Sequence, residues 1–358
     1  MKTNKLLLLA IVAVAFGALA WWSAQSRRAA PPAVLGRALL PNLDPDAVAR
    51  IEITRAGGPV TLVRRDDAWT VTNLFGYPAD PSKLGASLLQ LHDLKVGAVP
   101  RDMDLGTNDL SLVDLQNAAG KPLATLRLGR HYGRGGEAPG RSGDGRYLCV
   151  AGDPQVYLVK ESLDAFDTDA KGWVDSQLLG LQAADIQTIE ISSPTGQVAT
   201  FSRESGTLQM QGLATNEEFE ASKSYGLESA FAYLSFVGIA DPKLTDVQTG
   251  LATPGFFRVR LKNGDQYTAR IGGFATNTTD RFVRLGAELA PPGTNAAQKG
   301  EWERRKADLD QKFGKWTYLV SSYAAENLTR TRADLVKPRV VATNDVPAAA
   351  TANAPAVP

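Results

Sequence analysis

The chain states one pattern of residues twice, and this repetition restricts its fold more than any single motif does. Asp46–Ile53, DAVARIEI, returns as Ala184–Ile191, ADIQTIEI, with Val48, Ile51 and Ile53 matched by Ile186, Ile189 and Ile191. In the first copy, alternating apolar positions follow at Val60/Leu62 and Trp69/Val71, separated by the turn signals Gly57-Gly58 and Asp66-Asp67. In the second, Val198/Thr200 and Leu208/Met210 hold similar places after Pro194-Thr195-Gly196. A spacing of two marks half-buried strands. Each copy then changes to a helical spacing, Leu84/Leu88/Leu91 in one and Leu227/Phe231/Leu234 in the other, so each helix presents one apolar stripe to a sheet. Further strand pairs follow: 123–129 with 266–272, Arg146-Tyr147-Leu148 with Arg281-Phe282-Val283, and 156–159 with 317–320.

Runs of strands with one main helix per copy predict an α+β fold. It consists of two tandem homologous modules of mostly antiparallel sheet, residues 42–180 and 181–338, with a short junction near Leu178–Gln182. The copies differ in their extra chain. The first carries a Gly-rich stretch, Arg130–Gly145, and the second an insertion, Gly286–Lys315, whose middle reads as a charged surface helix with Trp302, Leu309 and Phe313 on its apolar side.

Ahead of the modules stands Leu6–Trp22, an unbroken apolar run preceded by Lys2 and Lys5. As a helix rising ~1.5 Å per residue it spans roughly 26 Å, just short of a ~30 Å hydrocarbon core. Trp21 and Trp22 extend it into the interface, and the lysines orient the N-terminus to the cytoplasm. Residues 1–22 are therefore expected to be a transmembrane anchor in the bacterial inner membrane, with the body in the periplasm. Ala18-Leu19-Ala20 has the small-x-small form of a cleavage site, so removal after Ala20 is the competing reading. Residues 23–41 are read as a flexible linker, and 339–358, rich in Ala, Pro and Thr, as a disordered tail.

The net charge of +1 includes the four cations Lys2, Lys5, Arg27 and Arg28, which leaves −3 for residues 29–358. A nucleic-acid partner needs a basic face to displace counterions, and none is expected. Cys149 is the single cysteine and lies in the apolar run YLCV, so no intramolecular disulfide forms and the thiol is read as buried and inert.

Candidate chemistry is sparse. Arg130, His131, Arg134 and Arg141, set among glycines, are a candidate anion-binding loop, weighed against a plain solvated hairpin loop. His92 and His131 are the only histidines, and neither has a second metal ligand at workable spacing, so no metal and no cofactor is expected. No G-x-S-x-G elbow is present. Asp164, Asp167 and Asp169, and Glu217, Glu218 and Glu220, supply paired carboxylates of the kind hydrolases use, but read more simply as residues capping turns and helix starts. Tyr225, Phe231, Tyr233 and Phe236 make the second helix unusually aromatic, either as a core face or as a partner-docking surface.

LDPDAVARIEI, GRYLCVAGDPQVYLV and WVDSQLLGLQAADIQTIEI resemble the bacterial domain-of-unknown-function family 4340, and the resemblance covers most of residues 42–336. It implies a single-span envelope protein found alongside gliding-motility-type or auxiliary ABC transport components, and it brings no catalytic residues. The expected function is thus a non-enzymatic, membrane-tethered periplasmic scaffold or accessory subunit of an envelope ABC-type transport system, with protein partners in that complex. A periplasmic binding module for cell-wall glycan or a small anionic ligand is the alternative, and a hydrolase of unrecognised type a second one.

Overall fold

The computed structural model describes residues 34–66, 68–101, 103–105, 110–133, 145–293 and 295–339. The expected anchor with Leu6, Trp21 and Trp22, the first part of the linker and nearly all of the tail lie outside the described residues. Among the described residues no helix is long and apolar enough to cross a membrane. They form mostly antiparallel sheet with few helices, an α+β arrangement. The chain divides into two compact units between Asp175 and Ser176.

The first unit contains β1 (Arg50–Thr54), β2 (Val60–Arg65), β3 (Ala68–Val71), β4 (Tyr77–Pro78), the helix α1 (Pro81–His92), β5 (Ser111–Gln116), β6 (Pro122–Tyr132), β7 (Gly145–Val150) and β8 (Tyr157–Val159). Its eight strands form one sheet in the order β4-β3-β2-β1-β5-β6-β7-β8. The alternation at β1 does what its spacing demands: Ile51 and Ile53 are fully buried, while Arg50 and Glu52 form an ion pair on the other face. Asp66 makes the turn into β3 at φ 48°. Asp80 caps α1, its carboxylate accepting from the backbone N–H groups of Ser82 and Lys83, with Pro81 at the first helical position. Leu84, Leu88 and Leu91 are buried, as the helical spacing requires. Residues 34–41, inside the stretch read as linker, run beside residues 94–96: Gly36 N–H donates to Val96 O and Leu39 N–H to Leu94 O, both at 2.8 Å, and Leu40 is buried.

The second unit contains β9 (Ile186–Ser192), β10 (Val198–Glu204), β11 (Thr207–Met210), β12 (Glu217–Phe219), α2 (Ser224–Ser229), β13 (Gly238–Ile239), β14 (Gly255–Leu261), β15 (Gln266–Phe274), β16 (Arg281–Glu288), α3 (Ala296–Phe313), β17 (Tyr318–Val320) and β18 (Val336–Pro338). Its large sheet runs β11-β10-β9-β14-β15-β16-β17-β13, and β12 and β18 form a separate pair. The charged helix α3 stands where its sequence placed it. Phe313 is buried, Trp302 donates its indole N–H to Ala290 O at 2.7 Å, and Arg305 pairs with the buried carboxylate of Asp265 at 2.9 Å.

The second main helix is much shorter than the spacing Leu227/Phe231/Leu234 predicts, because the helix stops at Ser229. Ser229 turns its hydroxyl back onto Tyr225 O, a local bond that competes with helix propagation. Beyond it the chain pairs in extended form with residues 176–178, Leu178 N–H donating to Leu234 O at 2.7 Å and Phe236 N–H to Ser176 O at 3.0 Å. A continued helix would have consumed those backbone groups internally. Phe231 and Leu234 still reach the core, from a turn and an extended segment.

Candidate functional site

Two places gather the residues that the sequence singled out, one in each unit. In the second unit the place is the outer edge of β11. The pairing of β10 with β11 sets Thr207 opposite Glu204 and Gln209 opposite Ser202, and Gln211 N–H donates to Thr200 O at 2.8 Å. Antiparallel alternation then turns the backbone N–H and C=O of Leu208 and Met210 outward, away from β10. In the first unit the corresponding edge is covered, since β4 pairs with β3 through Thr70 with Pro78 and Val71 with Tyr77. Phe75 and Gly76, both at positive φ, fold the chain back tightly enough to do so. In the second unit β12 pairs instead with β18, Phe219 opposite Val336 and Glu217 opposite Pro338.

A groove of about 810 Å³ remains beside β11, with Thr207 and Leu208 on one wall and Glu217, Phe219, Ser224 and Glu228 on the other. Arg203 fixes that wall: it holds Glu228 at 2.8 Å and also donates to the carbonyls of Ala183, Ile186 and Gly206. Glu217 is held below the usual carboxylate range, first by the N–H of Ala214 and then by Arg332. The aromatic residues read as a docking helix separate here. Phe231 and Phe236 are buried, Phe231 edge-on to Phe257 and Phe236 tilted against Tyr318. Tyr225, on the helix that contributes Ser224 and Glu228 to the groove, is 73% exposed, and Tyr233 is 76% exposed.

In the first unit the candidate anion loop is partly strand. β6 runs on through Tyr132, so Arg130 and His131 are strand residues, whereas Arg134 and Arg141 lie outside the described residues. Here the structure assembles a network around Asp167 that the sequence left dispersed. Arg146, in the apolar run GRYLCV, has only 2% of its side chain exposed. It meets Asp167 through both guanidinium ends, Nη1 to Oδ2 at 2.7 Å and Nη2 to Oδ1 at 2.8 Å, and its Nε donates to Gly129 O at 2.9 Å. This fork geometry is the strong form of a charge-assisted hydrogen bond. Ser111 Oγ donates to Asp167 Oδ1 at 2.9 Å, and Arg55 donates to the Asp167 backbone oxygen. His131 Nε2 lies 2.9 Å from Asp164 Oδ1 and 3.8 Å from Asp167 Oδ2.

His131, Asp164 and Asp167 place one potential ligand atom each within 4.8 Å of one another, the geometry of a small cation site. The donor set argues otherwise. Both oxygens of Asp167 already accept from the Arg146 guanidinium, and an added cation would sit against that like charge. Nor does the arrangement form a nucleophile and base, since Ser111 gives its proton to Asp167 and His131 is engaged by Asp164. Of the other carboxylates, Asp169 caps a turn as its sequence suggests, accepting from Gly172 N–H, while Glu217 and Glu218 sit on β12 and not at a helix start. His92 Nδ1 bonds to Leu43 O at 2.8 Å. Cys149 is buried, and that burial pushes its thiol pKa up.

Sequence reasoning missed Arg146, Asp167 and Arg55 as one group. The only signal was a lone charge inside a run of strand-forming apolar residues, which has no spacing to announce a partner 21 positions away. In comparison with known proteins, a family model described as Domain of unknown function (DUF4340) matches residues 69–254. No curated protein and no solved structure matches the chain.

Proposed function

The chain belongs to the DUF4340 family, and on that premise we propose that it is a non-enzymatic, membrane-tethered periplasmic scaffold or accessory subunit of an envelope ABC-type transport system. It docks an extended segment of a protein partner as an added strand on β11. The observation that carries this reading is the uncovered edge: the backbone groups of Leu208 and Met210 face away from β10, Leu208 lines the groove of about 810 Å³, and Tyr225 is exposed on the neighbouring helix. Main-chain pairing of this kind supplies affinity, and the pockets beside the edge supply specificity. The internal satisfaction of the Asp167 network favours a structural part for those residues over a catalytic one.

The two units are tandem homologous modules, approximately residues 42–180 and 181–338, in this reading. Leaving aside β4 and β13, the strands follow each other in the same chain order across both sheets, which supports descent from one ancestral unit. The second copy has surrendered its β4-like cover to β18, and so gained an edge for a partner. Leu6–Trp22 holds the body to the inner membrane, with the N-terminus in the cytoplasm.

The test is co-purification of the full-length protein from detergent-solubilised membranes with a photo-crosslinking residue replacing Tyr225. A crosslinked transporter subunit, together with slowed exchange of the Leu208 and Met210 amides, is the expected result. Recovery of the protein alone, with those amides still exchanging freely, would sink the reading.

A further inference from the structure

Apart from the docking edge, the first unit holds a pocket whose positive charge its own carboxylates leave uncancelled. The pocket has a volume of about 310 Å³ and is lined by Arg55, Ser111, Arg130, His131, Arg146 and Asp167. Three guanidinium groups thus line it beside one carboxylate, Asp167, and a second carboxylate, Asp164, is engaged by His131, which leaves the arginines in excess. Asp167 is saturated by Arg146 and Ser111, so it has little capacity left for the other two cations. Among the described residues neither Arg55 nor Arg130 pairs with a carboxylate. Arg55 Nη1 reaches the Asp167 backbone oxygen, and its Nε is buried with no hydrogen-bond partner. Arg130 is exposed at the rim, its guanidinium carbon 5.6 Å from the centre of the Tyr147 ring.

A guanidinium with no carboxylate partner keeps its charge uncompensated, and two such groups on one pocket make this arrangement informative. The walls are shaped for it. A side chain at Gly57 would put a Cβ 2.6 Å from Arg55 Nη2, and one at Gly129 would put it 2.7 Å from Leu105 Cδ2. Glycine at these positions leaves room for the Arg55 guanidinium against its own turn and for Leu105 against β6.

The second unit lacks the device. Arg281, which the sequence repeat matches to Arg146, donates to Gly272 O at 3.1 Å and stacks on Phe274 with its guanidinium carbon 3.8 Å from the ring centre. No ion pair with a carboxylate holds it in the described structure.

We infer that this pocket binds an oxyanion, a phosphate or carboxylate group, bridged between Arg55 and Arg130, with the Arg146–Asp167 pair as its rigid floor. Arg146 positions the site without serving as the principal ligand contact, because its donors are already committed. A planar or tetrahedral group with two or more oxygens can accept from the Arg130 guanidinium and from the Nη2 end of Arg55, and 310 Å³ leaves room for a small body behind it.

The test uses the full-length protein in detergent and two probes, inorganic phosphate and succinate, followed by thermal shift and titration calorimetry at constant ionic strength. Saturable binding with a rise in Tm is expected from at least one probe. Response to phosphate alone assigns a phosphate ligand, and response to succinate alone a carboxylate. R130A and R55K each weaken that binding about tenfold, the usual consequence of losing one charge-assisted contact, while R281A leaves it unchanged. R130A changes an exposed side chain and preserves the fold. No saturable response to either probe, or a response that survives R130A and R55K at full strength, overturns the inference.

Discussion

Arg146 is a charge placed where the strand pattern calls for a side chain to be buried, and the two-ended hydrogen bond to Asp167 holds it there. Asp167→Asn leaves the guanidinium buried without its countercharge. The expected loss is roughly 3 kcal/mol, the low end for breaking a buried pair, because the Asp167 side chain is itself 34% exposed. Urea unfolding of the variant beside the parent measures it. A second pair titrates at opposite ends of the pH scale. Tyr157 donates its hydroxyl to Asp153 at 2.6 Å, and that bond, with some burial, pushes the phenol pKa up from 10.0 to about 12. The same bond, helped by the N–H of Gln155, holds Asp153 below its ordinary 3.8. The phenol contribution to stability is therefore complete below pH 10 and lost as pH rises through about 12. The carboxylate contribution is present above pH 3.8 and lost as pH falls through the lowered value. Ultraviolet difference titration should show one tyrosine ionising near pH 12, absent in Tyr157→Phe, whose Asp153 titrates closer to its ordinary value.

Among the elements, α1 offers the plainest test of local causation. Asp80 satisfies two backbone donors at its start, so Asp80→Ala should cost about 1 kcal/mol in thermal or urea unfolding, and Asp80→Asn far less. This helix was readable in advance because Pro81, Leu84, Leu88 and Leu91 repeat within one element. The strands β1 and β9 were readable for the same reason, with Ile51/Ile53 and Ile189/Ile191 alternating. The pairing of β12 with β18 was not, because three-residue strands carry no measurable period and their partners lie more than a hundred positions apart in the chain. The truncation of α2 was hidden too: Leu227, Phe231 and Leu234 are all buried, but through three backbone conformations that one spacing cannot distinguish. At the arginine pocket, Arg130 and His131 were named from their glycine-rich surroundings. Arg55, just past β1, and Asp167, at the end of a short 3-10 helix, come from distant parts of the chain, brought together by the fold and not by any local pattern.

At the level of the whole molecule, each unit keeps its own complete large sheet. Fragments 34–175 and 176–339 should therefore each express as folded proteins, with cooperative thermal transitions followed by far-ultraviolet circular dichroism. Aggregation of both would show that the sheets depend on one another. The second fragment has a constraint that the first escapes. Phe219, packed edge-on to Phe201 at 5.3 Å between ring centres, lies opposite Val336 near the far end of the described chain. A ribosome or translocation channel delivers residues in order, so the first unit has all its strands well before the second has its last. The second unit must wait with β12 unpaired until residues 336–338 emerge, while the edge of β11 is bare both before and after. During that interval the protein exposes a second unsatisfied strand, which makes the time of chain emergence the period when a chaperone or an early-arriving partner has most to protect.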